Sequence, residues 1–436
     1  AFTIQEATRA GLVKEDSAWK TYPSDVLFAR AMTRGQRRFC FPEGTVIAGS
    51  GMAIEALVAE GKVLNSKGIR QSIKKTFAHL YTGEVARLRI ACIPEVLVTT
   101  EHRILVTSLR QVHRSTKGQA RHDWMLGEPM WKQAGQLTHG DWVIVPRIAE
   151  SEPSRFVFLF GQKRRGQKRV GRVVDEGLAW LLGLYAAEGD VGGRTVRLTL
   201  HAKETRLAER AVEQFKRLGV SAKIQRPPSL QAMNILRVAA WCKGLGLALN
   251  AWCGVGAHRK RVPPSILYAP ASVARAFVQG LLDGDGCIRR DRRNGRTICS
   301  VESVSPQLAY DCQSLLFKLG IRASLFRNRK RRSTVIRGRE VQRGESYTVS
   351  WPAQDLGALR DAAPRRAPRG MAKLLGHAIY LPVRDVRIEA VTDLPVFNLQ
   401  TEDSTYGVPF VVHNCPDVFR QTVYSKDEIE ELMRRD

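Results

Sequence analysis

The sequence has no CxxC pair, no uninterrupted apolar run of membrane-spanning length, and too few acids to balance its bases. Its eight cysteines (Cys40, Cys92, Cys242, Cys253, Cys287, Cys299, Cys312, Cys415) follow no regular spacing. That argues against a zinc site or a disulfide framework and for a reducing compartment. Residues are 44% hydrophobic, yet no run would span a bilayer and the start lacks the basic, apolar and cleavage-site pattern of a secretory signal. The chain therefore reads as soluble and cytoplasmic, with no membrane partner. It opens on Ala1 instead of Met, which fits a piece of a longer protein. Against 69 Lys and Arg stand 42 Asp and Glu, a net charge of +27. This exceeds what solubility requires and points to a polyanion, most often nucleic acid; a merely solvated basic surface is the plainer alternative.

What is present comes in modules. At 436 residues the chain is long enough for two or three domains with separate cores. Residues 1–39 are polar and mixed, with a helical-looking Val26–Met32. After Cys40 short strand-like runs alternate with turn residues, at Val85–Ala91, Val96–Thr99, Arg103–Thr107 and Trp142–Val145. They predict an all-β unit ending near Arg147. Residues 161–172, GQKRRGQKRVGR, carry six basic side chains and no acid, and read as a solvated linker able to track phosphates.

From Val173 the chain mixes helices and strands and repeats itself. Leu181–Gly189 (LLGLYAAEG) returns as Val278–Gly286 (VQGLLDGDG), and Arg217–Ile224 (RLGVSAKI) as Lys318–Leu325 (KLGIRASL), each about 100 residues on. Two motifs at nearly one spacing predict a duplicated α+β unit with internal pseudo-twofold symmetry. Arg289, Arg290, Arg292, Arg293, Arg296 and the run Arg327–Arg332 cluster in its second half, suited to phosphate and base-edge contacts. Pro- and Arg-rich Ala362–Arg369 reads as a return linker. Strand-like Val383–Ala390, Val396–Gln400 and Phe410–Val412 then complete the interrupted β unit, and an acidic amphipathic helix is expected over Ser425–Arg435.

Chemistry concentrates at the edges of that interruption. A backbone amide breaks without an external cofactor when a nucleophile sits at the bond itself. Cys40 can attack the carbonyl of Phe39 and turn the amide into a thioester, given a polarised peptide and a proton donor for the departing nitrogen. Thr99 offers a hydroxyl or backbone donor and His102 an imidazole. Cys415 can take the acyl group, after which Asn414 cyclises to a succinimide and releases the middle piece, served by His413. Each residue alone has a plainer reading, since lone cysteines are mostly inert small hydrophobes. Their combination singles them out: Cys40 opens the β unit, Thr99–His102 lies inside it, and His413-Asn414-Cys415 closes it.

These residues resemble the splicing motifs of inteins. Cys40–Ile47 (CFPEGTVI) is similar to the N-terminal motif and Thr99–His102 to the TxxH motif. Gly140–Pro146 resembles the end of the N-terminal splicing half, and Val411–Cys415 the C-terminal junction. The resemblance covers nearly all of residues 40–415. It implies an all-β Hint horseshoe, split in sequence and built from both ends, that splices autocatalytically without a cofactor and has its own extein flanks as partners. Two departures stand out. Asn398 occupies a place that often carries Asp, and Ser404-Thr405-Tyr406 lacks a His common there. The missing His leaves more of the last step to His413, so splicing is expected with slow Asn414 cyclisation.

The two repeated motifs resemble the dodecapeptides of LAGLIDADG homing endonucleases, a frequent insertion in large inteins. Small residues at Gly183, Ala187, Gly280 and Gly284 let two helices pack closely. Each helix ends at an acid, Glu188 or Asp285, with Gly189 and Gly286 expected to turn the chain away. Two facing carboxylates are costly unless a cation neutralises them, and hard oxygen ligands suit Mg²⁺. A metal held by Glu188 and Asp285 would activate water for phosphodiester hydrolysis. The plainer reading, acid-Gly as a helix cap, is weakened by its occurring twice among Arg clusters. Lys260–Pro263 (KRVP) resembles the family's K-x-(I/V)-P segment, which implies an auxiliary catalytic role for Lys260. The expectation is a monomeric, Mg²⁺-dependent nuclease that cuts double-stranded DNA.

The expected boundaries are an N-extein segment 1–39, the splicing domain's first part 40–150, a basic linker 151–172, the endonuclease 173–365, the splicing domain's second part 366–414, and a C-extein segment 415–436. The joined flanks are similar to part of phage RecT-like single-strand-annealing recombinases. Two alternatives remain open: a Hint-type domain that only cleaves, around a DNA-binding but inactive centre, and a plain basic DNA-binding protein that undergoes no processing.

Overall fold

The computed structural model describes residue 8 and residues 40–414, apart from 51, 117–118, 153–154, 162–166, 232, 291–296, 330–331, 337–338, 354–371 and 376–377. The expectations for Cys415, for both flanking segments other than Thr8, for Arg292, Arg293 and Arg296, and for Ala362–Arg369 lie outside the described residues.

Cys40 leads into β1 (Phe41–Pro42), followed by β2 (Arg70–Ile90), β3 (Val96–Thr99), β4 (Arg103–Thr116) and β5 (Asp141–Pro146). Ala86, Leu88 and Ile90 alternate into the core, as a half-buried strand requires. The earlier part of β2 buries only Gln71 and Ile73 and alternates between half-buried and exposed positions from Phe77 to Glu84, so the strand starts well before the Val85 that patterning picks out.

The chain then leaves this sheet. Within the expected basic linker, β6 (Arg155–Gly161) and β7 (Gln167–Val173) form an antiparallel hairpin. Its period of two buries Phe156 and Phe158 on one side, and Phe156 meets Trp252 edge-on at 4.7 Å between ring centroids. The segment thus carries an apolar anchor at Phe156 and Phe158, while Lys168, Arg169 and Arg172 of the basic run stay exposed.

Two units of matching plan follow. The first is α1 (Glu176–Glu188), β8 (Gly189–Gly192), β9 (Thr195–His201), α2 (Thr205–Arg217), β10 (Ala222–Gln225) and β11 (Ile235–Trp241). After α3 (Lys243–Cys253) comes the second: α4 (Ala271–Asp285), β12 (Gly286–Arg290), β13 (Thr297–Ser303), α5 (Pro306–Lys318) and β14 (Ser324–Asn328), then a hairpin of β15 (Arg332–Ile336) with β16 (Arg339–Arg343), and β17 (Ser346–Pro352). The sheets run β8-β9-β11-β10 and β12-β13-β17-β14, the same order of equivalent strands. Duplication is therefore present in the topology as well as in the motifs. α1 is buried without interruption from Leu178 to Ala186, as a helix at the centre of a core must be.

The chain returns as β18 (Ala378–Thr401), β19 (Thr405–Val408) and β20 (Phe410–His413). β18 pairs with β2 from Val383↔Ile90 to Thr401↔Ile73, and its first residues pair with β5. β1 pairs with β18 at Phe41↔Phe397, and β20 with β4 at Val412↔Ile104. One β module is thereby built from both ends of the described chain. Patterning predicts two strands where β18 is one; an irregularity between Val391 and Leu394 absorbs Asp393 at φ 51°, and pairing resumes beyond it.

The second unit rests on the β module. Gln313 Nε2 and Leu325 N donate to the Cys92 carbonyl at 2.6 and 2.9 Å, Gln307 Nε2 to Ser50 O at 2.9 Å, and Arg147 Nη2 to Lys318 O at 2.7 Å. Among the described residues no helix is long and apolar enough to cross a membrane.

Candidate active sites

Strand pairing decides the first site. β1 and β20 both join the sheet that carries the turn Thr99–His102, so Cys40 and Asn414 approach that turn from opposite ends of the chain. Cys40 N donates to Thr99 Oγ1 at 2.9 Å, and Thr99 N donates to Cys40 O at 3.1 Å. Cys40, Thr99 and His102 are all buried, and the His102 ring packs on Phe41 at 4.5 Å. At the other junction Asn414 N donates to Ser404 O at 2.7 Å and Asn414 Nδ2 to Thr401 Oγ1 at 3.0 Å. His413 Nδ1 lies 2.6 Å from the Asn414 carbonyl oxygen, while Trp131 meets its ring edge-on at 5.0 Å. In the tautomer with a proton on Nδ1, that contact polarises the carbonyl that a cyclising Asn414 amide would attack.

Asn398 is also buried. Its Oδ1 accepts from Leu399 N and from the Tyr406 hydroxyl, each at 2.8 Å. Three residues at this site escape sequence reasoning. Thr401 carries no motif, Tyr406 enters only as part of the segment that lacks a His, and half-buried His79 lies in the earlier part of β2 with Nε2 4.0 Å from Cys40 Sγ. Only the register of β2 against β18 brings His79 there.

The second site sits where α1 and α4 end. A Cβ on Gly183 would fall 2.1 Å from the Phe277 carbonyl oxygen, and one on Gly280 would fall 2.0 Å from that of Trp180. The two backbones touch, which only glycine permits. Trp180 Nε1 donates to Asp283 Oδ2 at 2.8 Å and ties the pair together. Glu188 and Asp285 are the last residues of these helices. The following glycines do not turn the chain through a left-handed conformation as expected: Gly189 and Gly286 are extended at φ −93° and −78°, and open β8 and β12. What they supply is clearance, because a Cβ at Gly286 would lie 2.1 Å from Leu282 O.

Burial pushes the Glu188 carboxyl up to about 7, helped by the charges of Asp285 and Glu204. Desolvation also raises Asp285, against the pull of Lys260. Lys260 is buried, and its ammonium is held below its ordinary range by desolvation. Its Nζ donates to Tyr185 O at 2.7 Å and Gly189 O at 2.8 Å, and lies 3.9 Å from the Tyr185 ring centroid. Glu188, Asp190, Lys260, Asp285 and Glu302 share a cavity of about 650 Å³. Among the described residues no group of three or more His, Cys, Asp or Glu gathers as a metal site. Two desolvated carboxylates, one of them further raised by the charge of the other, nonetheless fit a divalent cation, which would relieve both. Of the nearby arginines, Arg289 and Arg290 lie exposed on β12, whereas Arg327 is paired with Glu345.

Residues 175–237 and 272–348 match the family described as LAGLIDADG-like domain, so such a domain is present in the two duplicated units. An iron-sulfur cluster assembly SufBD family protein of Mycobacterium bovis is 26% identical over 336 residues, covering 73% of this chain and 35% of that protein. The ATP-dependent DNA helicase Hel308 of Thermococcus kodakarensis is 24% identical over 456 residues, covering 95% and 38%. An A-type ATP synthase subunit from Pyrococcus abyssi is 27% identical over 249 residues, covering 56% and 22%. The chain spans little more than a third of the length of the first two relatives and less of the third. Among solved structures, I-DmoI in complex with DNA and Mn is 15% identical with a TM-score of 0.29, over 44% of this chain and 99% of that one. The N-terminal LAGLIDADG domain of DUF199/WhiA is 15% identical with a TM-score of 0.27, over 45% and 86%.

Proposed function

We propose that the chain is an intein within a host protein: a Hint-type splicing module of residues 40–150 and 366–414 that excises itself, carrying a homing endonuclease in residues 173–365. The convergence of Cys40 and Asn414 on the Thr99–His102 turn carries this reading. It is further supported by the relatives, whose named activities have nothing in common although each shares a part of its length with this chain. An element inserted into unrelated hosts has that signature.

In this reading Cys40 Sγ attacks the Phe39 carbonyl, with Thr99 and His102 assisting departure of the nitrogen. The acyl group passes to the Cys415 thiol. Asn414 Nδ2 attacks its own carbonyl, polarised by His413, and the bond to Cys415 breaks. The joined flanks are proposed to belong to a RecT-like recombinase on sequence alone.

The endonuclease reading rests on Glu188 and Asp285 at adjoining helix ends below two similar sheets. They would hold Mg²⁺, whose bound water is a stronger nucleophile toward a phosphodiester. Lys260, anchored on the two carbonyls that flank Glu188, fixes the end of α1 and supplies positive charge beside the acids. The pseudo-twofold plan suits a monomer working on double-stranded DNA.

Intact-mass analysis after bacterial expression tests splicing. A ligated product of residues 1–39 and 415–436 with a separate species of residues 40–414 is expected; an unprocessed chain under reducing conditions would overturn the proposal. For the nuclease, DNA encoding the joined flanks is incubated with Mg²⁺. Cutting that survives Glu188→Gln and Asp285→Asn together removes the assignment of the acids.

A further inference from the structure

We propose that His79 is the base that takes the Cys40 thiol proton in the first splicing step; the proposal rests on the splicing reading above. Cys40 Sγ and His79 Nε2 lie 4.0 Å apart. The register makes this a built arrangement. Pro42 and His79 both pair with Val396, from the two sides of β18, so their side chains share one face of the sheet. Cys40, two residues before Pro42, falls on that same face.

The other candidates are otherwise engaged. Asn398 is an amide, which takes no proton near neutral pH, and its Oδ1 already accepts two hydrogen bonds. Asp403 Oδ1 accepts from Thr405 N and Oγ1 within its own loop. His102 packs on Phe41 in the turn that holds the Cys40 nitrogen, the position from which a leaving amine is protonated. Tyr81 and Lys75 lie on the same face of β2 as His79, Tyr81 bonded to Glu84 O and Lys75 over the Phe77 ring. Opposite, β18 presents Leu394, Val396 and Asn398, none of which titrates. On the side of the scissile bond stand Cys40 itself and His102.

The step balances. The thiol proton moves to His79 Nε2, and a C–S bond forms between Cys40 and the Phe39 carbonyl. The Phe39–Cys40 C–N bond breaks, and the freed amine takes a proton back. A free thiol with pKa about 8.5 is only about 3% thiolate at pH 7, so a base that completes the ionisation is worth up to about 30-fold.

The test follows thiol-triggered cleavage at Cys40 and, in the same full-length chains, cleavage at Asn414, comparing the parent with His79→Ala and His79→Gln between pH 6 and 9.5. Both variants are expected to lose about 30-fold at pH 7 and to recover toward the parent near pH 9, where the thiol ionises unaided. Cleavage at Asn414 should be unchanged, which also reports that the variants fold. A deficit of the same size at every pH, or none at all, overturns the role of His79. If the parent itself never cleaves at Cys40, the splicing reading falls instead.

Discussion

Glu188 carries the largest conflict between burial and charge at the helix pair. Its carboxyl, raised from 4.5 to about 7, makes the native state hold a proton that the unfolded chain releases. Stability therefore falls as pH rises from about 4.5 to about 7, and the cost is full above that. Glu188→Gln is expected to raise the unfolding temperature at pH 8 in the absence of divalent cations, with the gain closing toward pH 4.5. Thermal unfolding across that range checks it, and a gain that grows on acidification would refute it. Added Mg²⁺ should narrow the gap at pH 8 by binding the parent alone. The residue identities were legible in the sequence, since acid-Gly occurs twice at the ends of apolar repeats. The coupling between Glu188 and Asp285 was not, because it depends on a helix crossing that no local pattern encodes.

At the scale of elements, the crossing of α1 and α4 is set by Gly183 and Gly280, whose missing Cβ atoms leave room for a facing backbone carbonyl. A side chain there can be admitted only by moving one helix. Gly183→Ala is expected to destabilise by about 1–3 kcal/mol, the usual range for overpacking, or more because backbone cannot rotate away. Urea unfolding measures the loss, and DNA cutting should fall with it as the two acids separate. β18 makes the complementary point. Its break at Thr392-Asp393-Leu394-Pro395 looks like a turn in the sequence, yet long pairing with β2 carries the strand through. His79 was hidden for the same reason, because Lys74–Glu84 of β2 is held by its partner strand and shows no apolar alternation.

For the whole molecule, net charge and interface set the behaviour. With +27 and arginines on the sheet strands, DNA affinity should fall steeply with salt, by about 10³-fold or more between 50 and 200 mM if 6–10 phosphates are contacted. Binding isotherms at several salt concentrations give the slope; a flat one would count against an electrostatic DNA partner. The inserted unit is also more than a passenger on a tether. Gln313 bridges the carbonyls of Cys92 and Ala323, so Gln313→Ala would take the donor from the Ala323 carbonyl while Leu325 N still serves Cys92 O, and is expected to cost about 1–3 kcal/mol. Denaturant unfolding of the full chain checks this, with the β module and the second unit melting together.

The sequence by itself determined the duplicated helix-acid motif, the basic character and the residues Cys40 and His413-Asn414 at the two ends of the β unit, because each is written in residues close to one another in the chain. Only the tertiary structure decided that Cys40 and Asn414 meet at one turn, that His79 stands beside the thiol, and that two glycines let helix backbones touch. Those relations are made by strand register and helix packing between residues far apart in the chain, and such contacts leave no local periodicity to read.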